Sequence, residues 1–335
     1  MIGTEPGVTV VICSHNGARL LPRTLDHLKA QRVPHDIPWE VVLVDNASSD
    51  DTAKVAQSCW GDYAAAPLRV VNEPRLGAGN ARTTGFDAAR YELVSSVDDD
   101  NWVANDWVIQ VARVMSEHPE AGACGGVSKA AFEMSPPAWF ERYENFYAVG
   151  PRATSGLYAD MLWGAGLSFR RTIWQRLRSM NFKPLVAAFG EDHELALILR
   201  LCGWKLWLDP RLRFEHFMPA WRLNWNYLLH LQHIRNADLA RIDPYYIILD
   251  SRTKQHGVRR ARWIFSLAHV VRCLAQNLVL RPHKVIWGSR FEGDEDGFRI
   301  ACYLGRLRGL LLNRTRYGSD LRLVANTDWR ALAGP

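Results

Sequence analysis

The N-terminal third of the chain alternates short apolar runs with segments of helical periodicity, and this alternation constrains the fold more than any other feature. The runs are rich in β-branched residues and occupy positions 8–13, 40–44, 68–71 and 93–97. Helical patterns follow the first three runs, at positions 20–28, 51–58 and 79–90. Continuous apolar strands separated by helices are typical of βαβ units around a buried parallel sheet. The sequence therefore predicts an α/β fold.

Polar residues follow each apolar run at the point where the predicted strand ends. They read SHNG (14–17), DNAS (45–48), NEPRLGAGN (72–80) and DDDN (98–101). Open parallel sheets bind ligands outside the carboxyl ends of their strands. We therefore expect the functional site at this edge of the sheet.

Three consecutive aspartates, Asp98, Asp99 and Asp100, come directly after the fourth run. Aspartate is a poor strand residue and adjacent like charges repel, so such a triplet requires a reason. Mg²⁺ and Mn²⁺ prefer oxygen ligands and couple them to the phosphates of a substrate. The triplet therefore predicts a divalent cation site, with a solvated turn or a helix N-cap as the structural alternative.

Glycine-rich phosphate loops are not found where nucleotide-binding sheets of other classes need them. A dinucleotide-binding sheet requires GxGxxG directly after its first strand, whereas SHNGARLL stands here and Gly77-x-Gly79 follows the third strand. A Walker A sequence and the glycine-rich N-terminal loop of sugar nucleotidylyltransferases are also missing. We expect a nucleotide to be bound by carboxylates and polar side chains instead.

Composition limits the class of protein further. The 335 residues are 48% apolar and 23% charged, enough for one large domain or two modest ones. Six cysteines without CxxC spacing argue against a zinc site and a disulfide framework, and fit a reducing cytosol. The N-terminal segment has no basic n-region, so we expect no signal peptide.

Positive charge is concentrated in the C-terminal quarter. Residues 251–335 contain 16 Lys/Arg and 6 Asp/Glu, a net charge of +10, and the first 250 contain 25 and 29, a net charge of −4. A basic tail suits an anionic surface, either phospholipid or nucleic acid, and equally a solvated helical face.

Apolar residues at helical spacing predict an amphipathic helix in this basic region: Trp263, Leu267, Val270, Val271, Leu274 and Leu278. Packing on the core is the default interpretation, and a position on a membrane is the alternative. The longest uncharged apolar window, at 263–271, is shorter than a spanning helix requires. Gly305 and Gly309 permit close approach of another helix, although nearby arginines argue against a membrane dimer motif.

Six motifs occur in an order that resembles family 2 glycosyltransferases. They are SHNG, VDNASSDDT, GNARTTGFDAA, VDDDN, WGAGLSFRR (163–171) and GEDHELALILRLCGW (190–204), and they cover roughly residues 8–218. The resemblance implies the GT-A fold, a Rossmann-like, mostly parallel sheet flanked by helices. It also implies metal-dependent, inverting sugar transfer from a nucleoside-diphosphate sugar.

The same resemblance divides the chain into functional parts. Residues 1–110 would form the nucleotide-sugar-binding half of the GT-A domain and residues 111–218 its acceptor-binding and catalytic half. Residues 219–335 would be a basic, mainly helical extension.

The resemblance also implies the residues of the donor site. Ser14 and Asn16 would lie at the nucleotide pocket, and Asp45 would accept a hydrogen bond from the base. Asp98 and Asp99 would face ribose and phosphates. Arg82 would lie close to the phosphates or to the acidic cluster; the alternative is a solvated helix arginine.

The metal ligands implied by the resemblance are Asp100 and His216, with Mn²⁺ or Mg²⁺ as the ion. The triplet leaves this assignment ambiguous by one residue, because Asp98 or Asp99 could also assist the metal. An ordinary surface or core histidine is the alternative for His216.

On the acceptor side the resemblance implies Trp163, Gly164 and Glu191, with Asp192 as general base. Inversion requires an acceptor hydroxyl to attack opposite the leaving diphosphate, and a positioned carboxylate can take its proton. The Glu191-Asp192 pair is also a good helix start, and Trp163 could be a core residue.

The expected partners follow from this interpretation. We expect a UDP-sugar as the favoured donor and a surface polysaccharide or a lipid-linked glycan as acceptor, in the cytoplasm, with no nucleic acid partner and no oligomeric state predicted. Peripheral contact with an anionic membrane is a hypothesis from the basic tail. Processive synthases of the family carry QxxRW, which Gln232–Asn236 lacks, so one sugar per binding event is expected. A non-catalytic nucleotide-sugar-binding regulatory or scaffold protein is the alternative.

Overall fold

The structure of the protein is a computed structural model that describes residues 5–62, 65–150, 157–158, 161–186, 191–253, 263–287 and 290–333. The chain forms two compact units. The first comprises Met1–Ala131, Asn145–Phe217 and Arg330–Pro335, and the second comprises Phe132–Glu144 and Met218–Trp329.

The first unit is built around nine strands in the described residues: β1 Glu5–Ser14, β2 Trp39–Asn46, β3 Leu68–Glu73, β4 Tyr91–Asp98, β5 Asn101–Val103, β6 Ala121–Phe132, β7 Leu157–Tyr158, β8 Ser168–Arg170 and β9 Lys205–Met218. Its helices are α1 Leu21–Lys29, α2 Thr52–Trp60, α3 Ala78–Ala88, α4 Trp107–Glu117, α6 Arg171–Ser179 and α7 Glu191–Leu201. The second unit contains the helices α5 Phe140–Tyr143, α8 Trp225–Leu239, α9 Asp243–Thr253, α10 Trp263–Leu280, α11 Pro282–Trp287, α12 Glu295–Leu312 and α13 Tyr317–Asn326.

The strands form one mixed sheet in the order β3-β2-β1-β4-β8-β6-β9-β5, with β7 paired to β9. The four predicted strands are β1 to β4, and they are parallel to one another. The predicted α/β fold with helices flanking a parallel sheet is therefore confirmed. Beyond β4 the strand pairs of known direction are antiparallel, which the sequence did not predict.

The core of the first unit lies between the parallel strands and helices α1 and α4. The middle of β2, from Val41 to Val44, is fully buried, as expected for a strand covered on both faces. Helix α1 buries Leu21, Leu25 and Leu28, which are three of the positions that the sequence placed at helical spacing. All six cysteines, each within the described residues, are free thiols, in agreement with the sequence.

In the second unit, α12 packs against α8 through two glycines. A Cβ atom at Gly305 would lie 2.2 Å from the carbonyl oxygen of His233, and one at Gly309 would lie 2.1 Å from that of Ala237. The close helix approach predicted for this pair of glycines is therefore confirmed, and it occurs within one chain.

Helix α10 contains the amphipathic pattern that the sequence predicted, and it is longer than expected. Among the described helices it is the one that is long and apolar enough, by length and composition alone, to cross a membrane. The window at 263–271 is only its first half, since the helix continues to Leu280. Val271 and Leu278 do not join the packed stripe, because both are about half exposed.

Candidate active site

Strand register brings the predicted donor residues to one edge of the sheet. Ser14 at the end of β1 pairs with Asp45 at the end of β2, and Cys13 pairs with Asp98 at the end of β4. Asp45 in turn pairs with Asn72 on β3. The polar ends of all four parallel strands therefore form one continuous row, as the sequence predicted.

Asn16 links the loop after β1 to the loop after β2. Its backbone N–H donates to Ser48 Oγ (3.0 Å), and its side-chain oxygen accepts from the backbone N–H of Ser49 (2.8 Å). The N–H of Ser48 also donates to Asp45 Oδ1 (3.3 Å). Asn16 has a φ of +53°, a conformation that asparagine tolerates better than most residues. Its role in nucleotide binding stays a prediction, but it fixes the loop that follows Asp45.

The triplet resolves into three aspartates with three different partners. Asp98 Oδ1 accepts from Arg82 Nη2 (3.1 Å), and Asp99 Oδ2 accepts from Ser14 Oγ (2.5 Å). Asp100 Oδ1 lies 3.3 Å from His216 Nε2. Each carboxylate is thus directed to its own polar or basic group, which offsets the repulsion that three adjacent charges would otherwise suffer.

His216 reaches Asp100 because of strand pairing. Antiparallel pairing places Asn101 on β5 opposite His216 on β9, and the backbone N–H of Phe217 donates to the carbonyl of Asp100 (2.9 Å). Residues over a hundred positions apart in the sequence therefore meet. Asp100 therefore lies beside the predicted histidine ligand, and the assignment of these two residues as metal ligands stays a prediction.

Asn101 holds the turn of the triplet, and the sequence motifs gave it no role. Its side-chain oxygen accepts the backbone N–H of Asp98 (3.0 Å), and its amide nitrogen donates to Asp100 Oδ1 (3.2 Å). The side chain is almost completely buried. The signal in the sequence was the asparagine that immediately follows three acids, since such residues commonly cap turns.

The predicted metal ligands can hold a cation only with help from a substrate. Asp100 and His216 are both buried, and they offer one carboxylate and one imidazole. Within the described residues no group of three or more His, Cys, Asp and Glu side chains is arranged to hold a metal ion. Mg²⁺ and Mn²⁺ at nucleotide sites commonly take one or two protein ligands and complete their coordination with phosphates and water. The residue pair fits a site of that kind.

Arg82 connects residues predicted for the donor site to residues predicted for the acceptor side. Besides its ion pair with Asp98, its guanidinium group lies against Gly164, where an added Cβ would be 2.9 Å from Nη1. The backbone N–H of Gly164 donates to Asp192 Oδ2 (2.7 Å). This path of contacts from Asp98 through Arg82 and Gly164 to Asp192 is called the arginine bridge below. The alternative of a solvated helix arginine is wrong, since the side chain of Arg82 is largely buried.

The remaining predicted acceptor residues are Trp163, which precedes Gly164 in the sequence, and Glu191, which precedes Asp192. Glu191 begins α7, but its side chain lies outside the described residues. Trp163 is half-buried and lines a cavity with Gly125, Gly126 and Leu208. Helix α7 begins at Glu191, so the interpretation of the acidic pair as a helix start also holds. The helix ends at Leu201, and Gly203 follows it with a φ of +84°.

Two further polar residues, Asn46 and Glu73, position the loop between β3 and α3, and neither of them had a role predicted from the sequence. The buried amide of Asn46 donates to the carbonyls of Glu73 (3.0 Å) and Arg75 (2.8 Å), and its oxygen accepts the N–H of Gly77 (2.9 Å). Polar residues at strand ends resemble solvated ones in the sequence, and only the tertiary structure reveals their burial.

The carboxylate of Glu73 is buried and fixes α3, the helix that carries Arg82. It accepts paired hydrogen bonds from Arg75 (2.9 Å each) and one from Thr84 Oγ1 (2.5 Å). These hydrogen bonds, with that of Arg75 the largest cause, lower the pKa of Glu73 from 4.5 to about 2. The ionised form is therefore favoured in the folded protein.

We expect Glu73→Gln to destabilise the protein by about 1.5–3 kcal/mol at neutral pH, the range for a lost hydrogen bond to a buried charge. Because the folded-state pKa is below the unfolded value, this stabilisation is complete above pH 4.5 and is lost as the pH falls toward about 2. The difference in free energy of unfolding between wild type and variant should therefore shrink over that interval. Chemical denaturation across this pH range measures it.

Glu117→Gln is the matched control for this prediction. Glu117 also makes paired hydrogen bonds to an arginine, Arg211, but its side chain is half-exposed. Solvent screens an exposed pair, so Glu117→Gln should lose clearly less stability than Glu73→Gln. If the two variants lost equal free energy of unfolding, burial would not be the reason why the hydrogen bonds of Glu73 stabilise the protein.

Comparisons with known proteins identify the family and the fold of the chain. The family model described as "Glycosyl transferase family 2" matches residues 9–177, half of the chain. The protein "Glucosyl-dolichyl phosphate glucuronosyltransferase" of Haloferax volcanii is 23% identical over 236 residues, which are 66% of this chain and 72% of that protein. The "Dolichyl-phosphate beta-glucosyltransferase" of Mus musculus is 30% identical over 154 residues, 43% of this chain and 47% of that protein.

Among solved structures, the mannosyltransferase PcManGT from Pyrobaculum calidifontis, in complex with GDP-Man and Mn²⁺, has a TM-score of 0.56. It is 19% identical, and the similarity covers 93% of this chain and 87% of that one, which shows a shared fold. The GT-A fold implied by the motifs is thereby confirmed. The chain belongs to glycosyl transferase family 2, whose members transfer sugars from nucleotide-sugar donors.

Proposed function

We propose that the protein transfers a sugar from a nucleoside-diphosphate sugar to a hydroxyl acceptor with inversion, in the presence of Mn²⁺ or Mg²⁺. One observation carries the proposal. Asp45, Asp98 and Asp100 lie at the carboxyl edge of the sheet, and the arginine bridge connects this edge to Asp192. The proposed donor residues and the proposed base would therefore be linked through Arg82 and Gly164.

On the donor side, Asp45 would accept a hydrogen bond from the base. The imide N–H of uracil favours UDP, and the N1–H of guanine could donate in the same way. Ser14 and Asn16 would complete the nucleotide pocket, with Asp98 and Asp99 facing ribose and phosphates. Arg82 would bring a buried positive charge toward the phosphates, where arginine binds oxygens in a fixed geometry.

Asp100 and His216 would hold the divalent cation. When bound, such an ion supplies positive charge opposite the departing diphosphate. Asn101 keeps the Asp100 carboxylate in one orientation, as supporting residues of metal sites do.

On the acceptor side, Asp192 would take the proton of the attacking hydroxyl. Attack on the anomeric carbon from the face opposite the diphosphate inverts its configuration. Asp192 accepts the N–H of Gly164 through Oδ2 and that of His193 through Oδ1 (2.8 Å), and each carboxylate oxygen keeps a further lone pair for the proton. Trp163 and Glu191 would contact the acceptor.

A lipid-linked acceptor is favoured over a surface polysaccharide. Two relatives are named for dolichyl phosphate or for a sugar attached to it. The absence of QxxRW in the sequence favours single transfers over polymerisation. The reaction would take place in the cytoplasm, where nucleotide sugars are available.

Isothermal titration of UDP, GDP, dTDP and CMP, each with Mn²⁺ and with EDTA, tests the donor site. We expect one nucleoside diphosphate to bind only with the metal, and Asp100→Ala to weaken that binding by about 10–100-fold. Asp62→Ala, at an exposed turn after α2, is the control and should bind as the wild type does.

Two results would count against this proposal. Binding that is equally tight with EDTA and in Asp100→Ala would remove the metal from the mechanism. No binding of any nucleotide would mean that the aspartate triplet is a structural turn.

A further inference from the structure

Helix α10 has two adjacent sets of apolar residues, one packed inside the second unit and the other facing solvent. Its inner stripe, Trp263, Leu267, Val270 and Leu274, packs with Ala240 and Leu310 inside the second unit. A second set of apolar residues lies next to this stripe on the helical wheel and faces solvent. This outer face consists of Ile264, Phe265, Ala268, Val271, Ala275, Leu278 and Val279.

The outer face is extensive and strongly exposed. Ile264 is 59% exposed and Val279 is 79% exposed, and Leu280 at the end of the helix and Ile286 on α11 are exposed as well. Helix α10 is roughly 27 Å long at 1.5 Å per residue. Soluble proteins rarely expose contiguous apolar patches of this extent unless the patch binds something.

The packing of α10 decides between a spanning and a surface position. Its inner stripe is held on α12, and Trp263 Nε1 donates to the carbonyl of Leu310 on that helix (2.6 Å). Helix α12 contains five charged residues: Glu295, Asp296, Arg299, Arg306 and Arg308. Carrying these charges into hydrocarbon would cost several kcal/mol. The folded unit can therefore insert only the outer face, with the helix axis in the plane of the membrane.

The charged residues on and near α10 indicate what kind of surface the outer face binds. Arg272, the one charged residue of the helix, lies within the outer face, where its long side chain can reach head-group phosphates. Trp263 lies at the edge of that face with the Arg314 guanidinium 5.6 Å from its ring, an arrangement suited to a membrane interface. In a two-fold pairing of copies through this face, the Arg272 side chains would approach each other, which disfavours a second copy as the occupant.

We propose that the outer face of α10 binds in the plane of an anionic lipid bilayer. The net charge of +10 over residues 251–335 adds long-range attraction to the same surface. The inference stands on the second unit alone and does not depend on the proposed transferase activity. It also explains the exposed Val271 and Leu278.

Vesicle co-sedimentation of the full chain tests the proposal. Vesicles of phosphatidylcholine are compared with vesicles that also contain about 30% phosphatidylglycerol, at low and at high salt. We expect the wild type to bind the anionic vesicles more tightly. Leu278→Asp and Val279→Asp should each weaken this binding by about ten-fold or more, because each removes apolar area and adds a charge to the face.

Leu323→Asp is the matched control. Leu323 lies on α13 and is 40% exposed, against 53% for Leu278, so both variants place a charge at an exposed leucine of a helix. The control should bind vesicles within about two-fold of the wild type. Arg272→Gln should lower binding to anionic vesicles about five-fold and leave binding to neutral vesicles unchanged, since one surface arginine contributes about 1 kcal/mol.

Three results would overturn the proposal. The first is a wild type that binds neither kind of vesicle. The second is equal vesicle binding by wild type, Leu278→Asp and Val279→Asp, all with wild-type circular dichroism. The third is a wild-type dimer in analytical ultracentrifugation that Leu278→Asp dissociates, since the face would then be an interface between copies.

Discussion

If Asp192 is the general base, we expect Asp192→Asn to lower kcat by about 10²–10⁴-fold and to leave the affinity for the nucleoside diphosphate within two-fold of the wild type. Asparagine has nearly the same shape, and its oxygen can still accept the 2.7 Å hydrogen bond from the N–H of Gly164. The arginine bridge therefore survives, while the group that takes the proton is lost. Initial rates with donor and acceptor, together with titration of the nucleotide, measure the two effects separately.

Asp192→Ala is the informative comparison. Alanine removes the acceptor for the Gly164 N–H as well as the base, and Gly164 lies against Arg82. We therefore expect the alanine variant to lose donor affinity in addition to kcat. If both variants keep full turnover, Asp192 is not the base. If the wild type binds nucleotide but transfers no sugar to any acceptor, the regulatory or scaffold interpretation gains support.

The predictable part of the fold is the part that is encoded locally. Strands β1 to β4 and helix α1 are visible in the sequence because each has its own periodicity and turn residues. Strands β5 and β8 have three residues each, too few to produce a pattern, and form only because a partner strand lies beside them. These two strands could therefore not be predicted from periodicity.

The same distinction holds for the candidate site. Asp45, Asp98 and Asp100 follow recognisable strands, so the sequence alone is enough to predict that they share one edge of the sheet. Asn101 and Glu73 act through burial and through partners set by tertiary packing. The position of Asn101 after three acids indicates a turn, but the burial of the two residues is not visible in a single sequence. The contact between Arg82 and Gly164 likewise joins residues far apart in the chain. The candidate binding residues were thus easier to predict than the residues that position them.

Glycine packing in the second unit leads to a prediction for stability. In the double variant Gly305→Ala with Gly309→Ala, the added methyl groups would meet the backbone carbonyls of His233 and Ala237 on α8 at 2.2 Å and 2.1 Å. Backbone cannot move aside as a flexible side chain can, so α12 must shift away from α8. Overpacking costs about 1–3 kcal/mol per site, which exceeds the roughly 1 kcal/mol by which alanine favours a helix over glycine. For two sites the cost is about 2–6 kcal/mol and the gain about 2 kcal/mol, so we expect a net loss of about 2 kcal/mol in the stability of the packed helix pair.

Gly318→Ala supplies the matched control, because Gly318 lies in α13 and an added Cβ would meet nothing within 4 Å. Only the helix propensity term acts there, so this variant should be more stable than the wild type by up to about 1 kcal/mol. Hydrogen exchange of peptides from α8 and α12 distinguishes the two effects without assuming that the chain unfolds in a single step. The double variant should exchange faster in both helices. If the amides of α8 and α12 exchange at equal rates in all the glycine variants, the 2.1 Å approach is not a real constraint and α12 can be repositioned at little cost.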